Sequence, residues 1–563
     1  MKLQYRKEAP LPWLLLVAVW LVLGALWCST LDHRPLGRPD EGRYGEIARE
    51  MAKGGDFVTP RLNGIQYFEK PPLQYWATAI AYQSFGVNEQ TARLWATACG
   101  FLSIVLTAWM ARLAGLNAAG GLLAAVVMAG ALYPALLGHV NTLDAGVTAF
   151  LTATVACYLQ AQRSAASPRW MALAGASAGL AMLSKGLIAL VLPGVGLALY
   201  TVCTLSLSGW RRLHLPQVLL TLLLVAGPWF VLVSWRNPAF PHFFFIHEHF
   251  ERFASTVHRR VEPGWYFLPL LLCGLLPWTL LLPAALVRAW STGPVNPEGF
   301  RPQRFLLCYA LGVVAFFSAS GSKLPSYIYP AFPPLAVLLT HALQQGPALP
   351  RRLLTLGGLA LSGVLGLAGL LLLGRGLDRA LGISLDMDAD MITPYAQLAP
   401  WLLIGSFAVA LGVIALRLLP AQRRLLACLL LGLSTLLAAQ ASLHGASALA
   451  EFNSSRPWVE ANALRTRIPA DARLFSVGTY DQTLDFYLDR TVILVDFLDE
   501  LEFGLQQEPA LSIPSEAAFR ATWGSQPGDH AVMEPARYAH LLSTGLPMRL
   551  VARDSRHVLV SAP

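Results

Sequence analysis

This 563-residue sequence predicts a polytopic α-helical membrane protein with a C-terminal soluble α/β domain, and three observations predict it. Hydrophobic side chains make up 55% and charged ones only 13%, against the roughly 25% charged share of a soluble globular protein. Apolar runs near the length that crosses about 30 Å of hydrocarbon recur from Pro12 to about Leu443. After about Ala450 the composition turns to that of a soluble domain. An ordinary soluble enzyme and a disordered chain are thereby excluded.

Lys2, Arg6 and Lys7 precede the apolar run Trp13 to Trp27; no small-residue cleavage site follows it, so it reads as an uncleaved first span. Further spans are read at 97–114, 118–137, 143–161, 170–184, 187–206, 216–234, 265–287, 304–319, 325–344, 353–374, 398–418 and 424–443, about thirteen in all. Ser184-Lys185-Gly186 interrupts the run between the fifth and sixth of them. With the N-terminus cytoplasmic, every short loop assigned inside carries arginine, from Arg112 to Arg423 and Arg424. The odd count puts the C-terminal segment outside.

Three outer segments are longer than connectors: 31–96, 235–264 and 375–397. In the first, Glu41 to Lys53 has helical spacing with Tyr44, Ile47, Ala48 and Met51 on one side, which predicts an amphipathic helix along the membrane surface. The transmembrane part is read as 1–449 and the soluble domain as 450–563. In the latter, Arg473-Leu-Phe-Ser-Val, Val492-Ile-Leu-Val, Ala531-Val-Met, Arg549-Leu-Val-Ala and Val558-Leu-Val read as strands. Asp481–Leu488, Ser515–Trp523 and Ala536–Leu542 read as helices, with Asp481 and Ser515 as N-caps.

The net charge of +9 comes largely from basic residues between spans, and no Walker A or GxGxxG signature occurs, so neither nucleic acid nor a nucleotide is indicated. All seven cysteines fall in or beside apolar stretches and read as small buried hydrophobes.

Chemistry is signalled by positive charge on the side that the sidedness rule leaves poor in it. Arg38, Arg43, Arg49, Lys70, Arg236, Arg252, Arg259, Arg260 and Lys323 all fall outside, a pattern that favours anion binding over mere snorkelling. Asp40-Glu41 follows the first span; the pair either orients an acceptor, takes a proton or holds a metal, or it opens a surface helix whose dipole favours acids. Asp144 begins a span and reads equally as an N-cap. Glu69-Lys70 precedes two prolines that fix the direction of the loop. In Ser322-Lys323-Leu-Pro-Ser-Tyr327-Ile-Tyr329, the lysine suits a phosphate, while the tyrosines taken singly read as belt residues. Lys185 is an outer-boundary or a turn lysine. His247-Glu-His249 offers metal-type ligands at a spacing that shares a face only in extended chain, so a structural role outweighs zinc there.

Together these motifs resemble the GT-C class of membrane glycosyltransferases that use polyprenyl-phosphate sugars. The Asp40-Glu41 pair is the mark shared with protein O-mannosyltransferases. A closer resemblance is to the bacterial undecaprenyl phosphate–aminoarabinose:lipid A transferase family. It rests on Arg38-Pro-Asp-Glu-Gly-Arg-Tyr, Phe68-Glu-Lys-Pro-Pro, Ser184-Lys-Gly, His249-Phe-Glu-Arg252-Phe, Trp265-Tyr-Phe and Lys323-Leu-Pro-Ser-Tyr-Ile-Tyr-Pro.

The resemblance implies transfer of 4-amino-4-deoxy-L-arabinose from undecaprenyl phosphate to lipid A phosphate, with inversion, at the periplasmic face of a Gram-negative inner membrane. It implies a lower negative charge on the outer membrane and resistance to polymyxin and other cationic peptides. Asp40, Glu41, Lys70 and Asp144 are the catalytic candidates. Arg43, Lys70, Arg252, Arg259, Lys323, Tyr327 and Tyr329 are the candidates for the lipid phosphate. Glu69 and His249 are those for a divalent ion, zinc or magnesium. No residue can be named that reads the sugar amine. The alternatives are transfer of another polyprenyl-linked sugar to protein or glycan and, less favoured because charges gather at the outer boundary, a lipid transporter.

Overall fold

The computed structural model describes residues 13–163, 166–251, 262–293, 295–296, 298–344, 349–373 and 389–563. Of the predicted outer loops, residues 252–261 of 235–264 and 375–388 of 375–397 lie outside these residues, Arg252, Arg259 and Arg260 among them. The chain divides into two compact units: Met1–Leu31, Ala96–Phe230 and Phe245–Ala446 form one, and Asp32–Trp95, Val231–Phe244 and Ser447–Pro563 form the other.

The first unit is helical. A helix or a broken pair of helices lies at each predicted span, for example Trp13–Trp27, Leu143–Ala161, Ser167–Lys185 and Arg424–Gly445. Among the described residues, length and composition qualify six helices to cross a membrane: Glu89–Leu113, Leu215–Arg236, Pro302–Ala319, Pro350–Leu373, Pro394–Leu418 and Ala421–Asn453. A seventh is gained if Phe267–Gly274 and Thr279–Ser291, bent by 108°, form one span. The other predicted spans are shorter, broken or less apolar.

The apolar run at 118–137 breaks after Ala129, where Gly130 lets the backbone come against Gly432 of another helix; a Cβ there would stand 2.4 Å from the Gly432 carbonyl oxygen. Leu219, Leu220, Leu223 and Leu224 on Leu215–Arg236 are exposed, as a helix facing lipid requires. Inside, polar groups answer one another: Trp27 Nε1 donates to the Thr97 carbonyl at 2.9 Å, and Gln440 meets His139 Nε2 at 3.2 Å.

The second unit holds a six-stranded sheet in the order β5-β4-β3-β6-β8-β7. Its strands are β3 (Leu474–Val477), β4 (Ile493–Val495), β5 (Ser512–Ile513), β6 (His530–Met533), β7 (Arg549–Arg553) and β8 (Val558–Ser561), while β1 (Arg61–Leu62) and β2 (Ile65–Gln66) make a small separate hairpin. β5, β4, β3 and β6 are parallel, and β8 and β7 close the sheet antiparallel. Phe475, Val477, Val495, Phe519, Ala531, Met533 and Val558 fill its core.

All five predicted strands are present, and β5, only two residues long, was not expected. Ser515 caps its helix as predicted, accepting from the Ala518 amide at 3.3 Å. Asp481 does not cap the next helix, which spans Leu484–Leu488; its Oδ1 accepts from the Thr483 amide and hydroxyl inside the preceding turn.

The predicted amphipathic helix is present as Asp40–Gly54, stopped by Gly55 at φ +72°. It is not a surface helix with a solvated polar side. Glu41, Arg43, Glu46 and Arg49 are buried along with Tyr44, Ile47, Ala48 and Met51, because the polar side is matched by ion pairs.

Candidate active site

In the second unit, the start of Asp40–Gly54 gathers the first group of candidates. Asp40 lies in the first turn with a side chain 41% exposed, and its Oδ1 accepts from Arg43 Nη1 at 3.2 Å, one helical turn on. Arg43 also forms a buried ion pair with Glu500 and lies 5.9 Å and 6.0 Å from the ring centres of Tyr44 and Tyr67. Burial works against charge on this guanidinium, yet the carboxylates of Glu500 and Asp40 beside it favour that charge, so Arg43 stays protonated. Burial also pushes both phenols far above their ordinary range and raises Glu500 against the pull of Arg43.

Glu41 has a different neighbourhood from Asp40. It accepts from Arg93 Nε at 2.8 Å and Nη2 at 2.9 Å, from Arg34 Nη2 at 2.9 Å and from the Gly37 amide at 3.0 Å. A carboxylate so fully engaged anchors the loop before the helix rather than moving a proton. Lys70 Nζ donates to the Glu69 carbonyl at 2.8 Å and stands 3.7 Å from the Glu69 carboxylate. The expected cation is therefore present, with an acid beside it. Among the described residues no three His, Cys, Asp or Glu side chains gather to hold a metal ion. His249 belongs to a π-helical segment, His242–Glu251, and its side chain lies outside the description.

In the first unit, antiparallel neighbours bring together residues 41 positions apart. Asp144 opens Leu143–Ala161 and Lys185 ends the next helix, Ser167–Lys185, so the two share one end of the pair and form an ion pair. Acid in a first turn and base in a last turn also suit the helix dipoles. Asp144 is thus a partner of Lys185, and Thr142 holds the N-cap position. Lys185 Nζ lies 4.5 Å from the ring centre of Tyr327, which packs on Phe317 at 5.0 Å. Lys323 is buried with Nζ donating to the Ser320 carbonyl at 2.7 Å. Tyr329 is buried beside Tyr133, 6.1 Å between ring centres, and among the described residues its hydroxyl has no hydrogen-bond partner.

The structure therefore joins Asp40 with Arg43, Glu69 with Lys70, and Asp144 with Lys185 and Tyr327. Lys185 carried a signal in Ser184-Lys-Gly but no partner. Glu500 carried none, since a pairing across 457 residues leaves no local pattern.

A crystal structure of ArnT from Cupriavidus metallidurans bound to undecaprenyl phosphate superposes with a TM-score of 0.87 and 32% identity, covering 98% of this chain and 99% of that one. This chain belongs to the aminoarabinose transferase family. The family model of the aminoarabinose transferase C-terminal domain matches residues 460–562, and that of dolichyl-phosphate-mannose-protein mannosyltransferase matches residues 37–244. Two undecaprenyl phosphate-alpha-4-amino-4-deoxy-L-arabinose arabinosyl transferases are similar in sequence. The one from Aeromonas salmonicida is 38% identical over 312 residues, and the one from Erwinia tasmaniensis is 36% identical over 321 residues. Each of these alignments covers 55% of this chain and 56% of the relative, so the chain spans just over half the length of the curated relatives it matches. Of the motifs on which the resemblance rests, those at 38–44, 68–72 and 184–186 lie within the matched range 37–244.

Proposed function

We propose that this chain transfers 4-amino-4-deoxy-L-arabinose from undecaprenyl phosphate to a phosphate of lipid A at the periplasmic face of a bacterial inner membrane. The observation that carries the reading is likeness over 98% of the chain to an ArnT structure holding undecaprenyl phosphate. The match of residues 460–562 to the aminoarabinose transferase C-terminal domain supports the sugar.

An oxygen of the acceptor phosphate attacks the anomeric carbon as the bond from that carbon to the donor phosphate oxygen breaks, inverting the centre. The acceptor phosphate is ionised near neutral pH, so no strong general base is needed. Undecaprenyl phosphate leaves with one more negative charge, which Lys70 stabilises as it develops. Asp40, half-exposed and steadied by Arg43, orients the acceptor or the sugar amine. Buried, rigid surroundings make such placement effective, because misplacement of a reacting group by about 1 Å can cost on the order of 100-fold in rate.

Mass spectrometry of lipid A, from cells that make the aminoarabinose lipid with and without this protein, tests the reading. A protein-dependent aminoarabinose increment on lipid A phosphate is expected. Unmodified lipid A, with the protein folded and the donor present, would sink it. The match of residues 37–244 to a protein mannosyltransferase model favours one second reading, another polyprenyl-linked sugar moved to a protein acceptor. That reading predicts labelled protein and unchanged lipid A in the same cells.

A further inference from the structure

We infer that Glu500, in the C-terminal part of the chain, is a positioning residue for the transfer site: it holds Arg43, and through Arg43 it holds Asp40. The inference rests on the transferase reading above.

Glu500 and Arg43 are each only 9% exposed and form an ion pair, and Gln482 Nε2 donates to the other oxygen of Glu500 at 2.7 Å. The carboxylate is thereby fixed from two sides. Arg43 has its second terminal nitrogen on Asp40 at 3.2 Å, so one guanidinium links a buried acid to a half-exposed one. A planar fork does this without freedom to swing, as an ammonium would have.

An independent observation places the same loop against the same turn of helix. A Cβ on Gly42 would stand 2.7 Å from Thr483 Cγ2 and 2.8 Å from the Gln482 carbonyl oxygen. Only glycine permits this approach of the Gln482–Thr483 backbone, and Gly42 lies between Glu41 and Arg43 in the motif. The glycine and the arginine of Asp40-Glu41-Gly42-Arg43 thus both serve contact with the C-terminal region. Deleting the charge of Glu500 leaves Arg43 with Asp40 as its remaining carboxylate among the described residues, and frees both side chains to turn together.

The test uses the purified full-length protein in vesicles, with the aminoarabinose undecaprenyl phosphate donor and lipid A. Glu500→Gln is expected to lower kcat on the order of 10–100-fold per folded molecule with a smaller change in KM for the donor. Glu500→Asp is expected to recover much of that loss. In an Arg43→Gln background, Glu500→Gln is expected to cost little more, because the two act as one unit. Full activity of Glu500→Gln beside an active wild type would overturn this inference alone. So would losses that multiply independently in the double variant, or a loss explained by folded fraction only. A wild type silent with this donor would overturn the transferase reading, and this inference with it.

Discussion

Glu41 takes four hydrogen bonds from Arg93, Arg34 and Gly37, while Asp40 next to it faces Arg43 with a side chain 41% exposed. Adjacent carboxylates therefore answer differently to neutralisation. Asp40→Asn should keep its melting temperature and lose on the order of 100-fold or more in transfer. Glu41→Gln leaves Arg93 buried and short of charge, so it should cost about 3–5 kcal/mol of stability, while the molecules that remain folded still turn over. Thermal melting in detergent beside a transfer assay separates the two, and equal catalytic loss per folded molecule would remove the distinction. The same logic applies to Asp144 and Lys185, only 9% and 12% exposed. Asp144→Asn or Lys185→Met alone should each destabilise by about 3–5 kcal/mol, and the double variant by clearly less, since it leaves no lone charge. Losses that add would argue against a pair that compensates itself. The sequence marked Asp40, Glu41 and Asp144 as acids near a boundary and left open, for each, a catalytic role or a place at a helix start. Which acid is saturated and which exposed depends on Arg93 and Lys185, at 52 and 41 residues' distance.

At the scale of elements, Asp40–Gly54 was legible as a helix because Tyr44, Ile47, Ala48 and Met51 recur on one side. Its other side was illegible, for charges at helical spacing look alike whether water or buried partners answer them. Glu46 shares Arg49 with Asp489, and Glu50 beside it has a carboxyl pushed up to about 8, by burial first and then by the charge of Glu46. A carboxyl raised on folding takes up a proton, so stability falls as pH rises from the unfolded value of about 4.3 toward the folded one, then levels. Glu50→Gln can keep the acceptor for the Gly64 amide and removes the titration. Its melting temperature should exceed that of wild type at about pH 8 and converge with it at about pH 4. A difference that does not vary with pH would show that Glu50 is ionised in the fold. Elsewhere, apolar content predicted where helices lie better than whether they run unbroken. The run 265–287 contains Pro277, which scarcely lowers an apolar count but lacks an amide hydrogen, and the segments on either side are bent by 108°. Buried parallel strands such as β3 and β6 were legible as continuous apolar runs, whereas the two residues of β5 carry too little pattern.

For the molecule as a whole, a change in composition at about residue 450 suggested a separate soluble domain. The structure groups 447–563 with residues 32–95 and 231–244 in one compact unit. The grouping has particular bonds behind it. Asn63 exchanges hydrogen bonds of 2.8 Å and 2.7 Å with the backbone of Val492, Arg61 reaches Glu508 at 3.0 Å, and Arg456 reaches Glu89 at 2.9 Å. Phe503 stacks on Phe243 at 4.1 Å between ring centres and meets Phe68 at 6.0 Å. Arg43 is paired across the same divide in sequence, through Glu500, as is Arg49 through Asp489. A chain ending at residue 447 would thus leave Arg43 and Arg49 short of carboxylates and strip the cover from Phe68, although every predicted span precedes the cut. Such a truncation should still insert, yet it should be cleaved rapidly by protease within 32–95 and show no transfer. Supplying 447–563 as a separate secreted chain should restore protection of 32–95 in part, because the contacts are side-chain bonds and ring stacking that need no covalent link. Limited proteolysis read by mass spectrometry, with and without the added fragment, measures this directly. A truncated protein as resistant within 32–95 as the full chain would mean that the first loop folds unaided and that the sequence boundary at 450 is also the physical one.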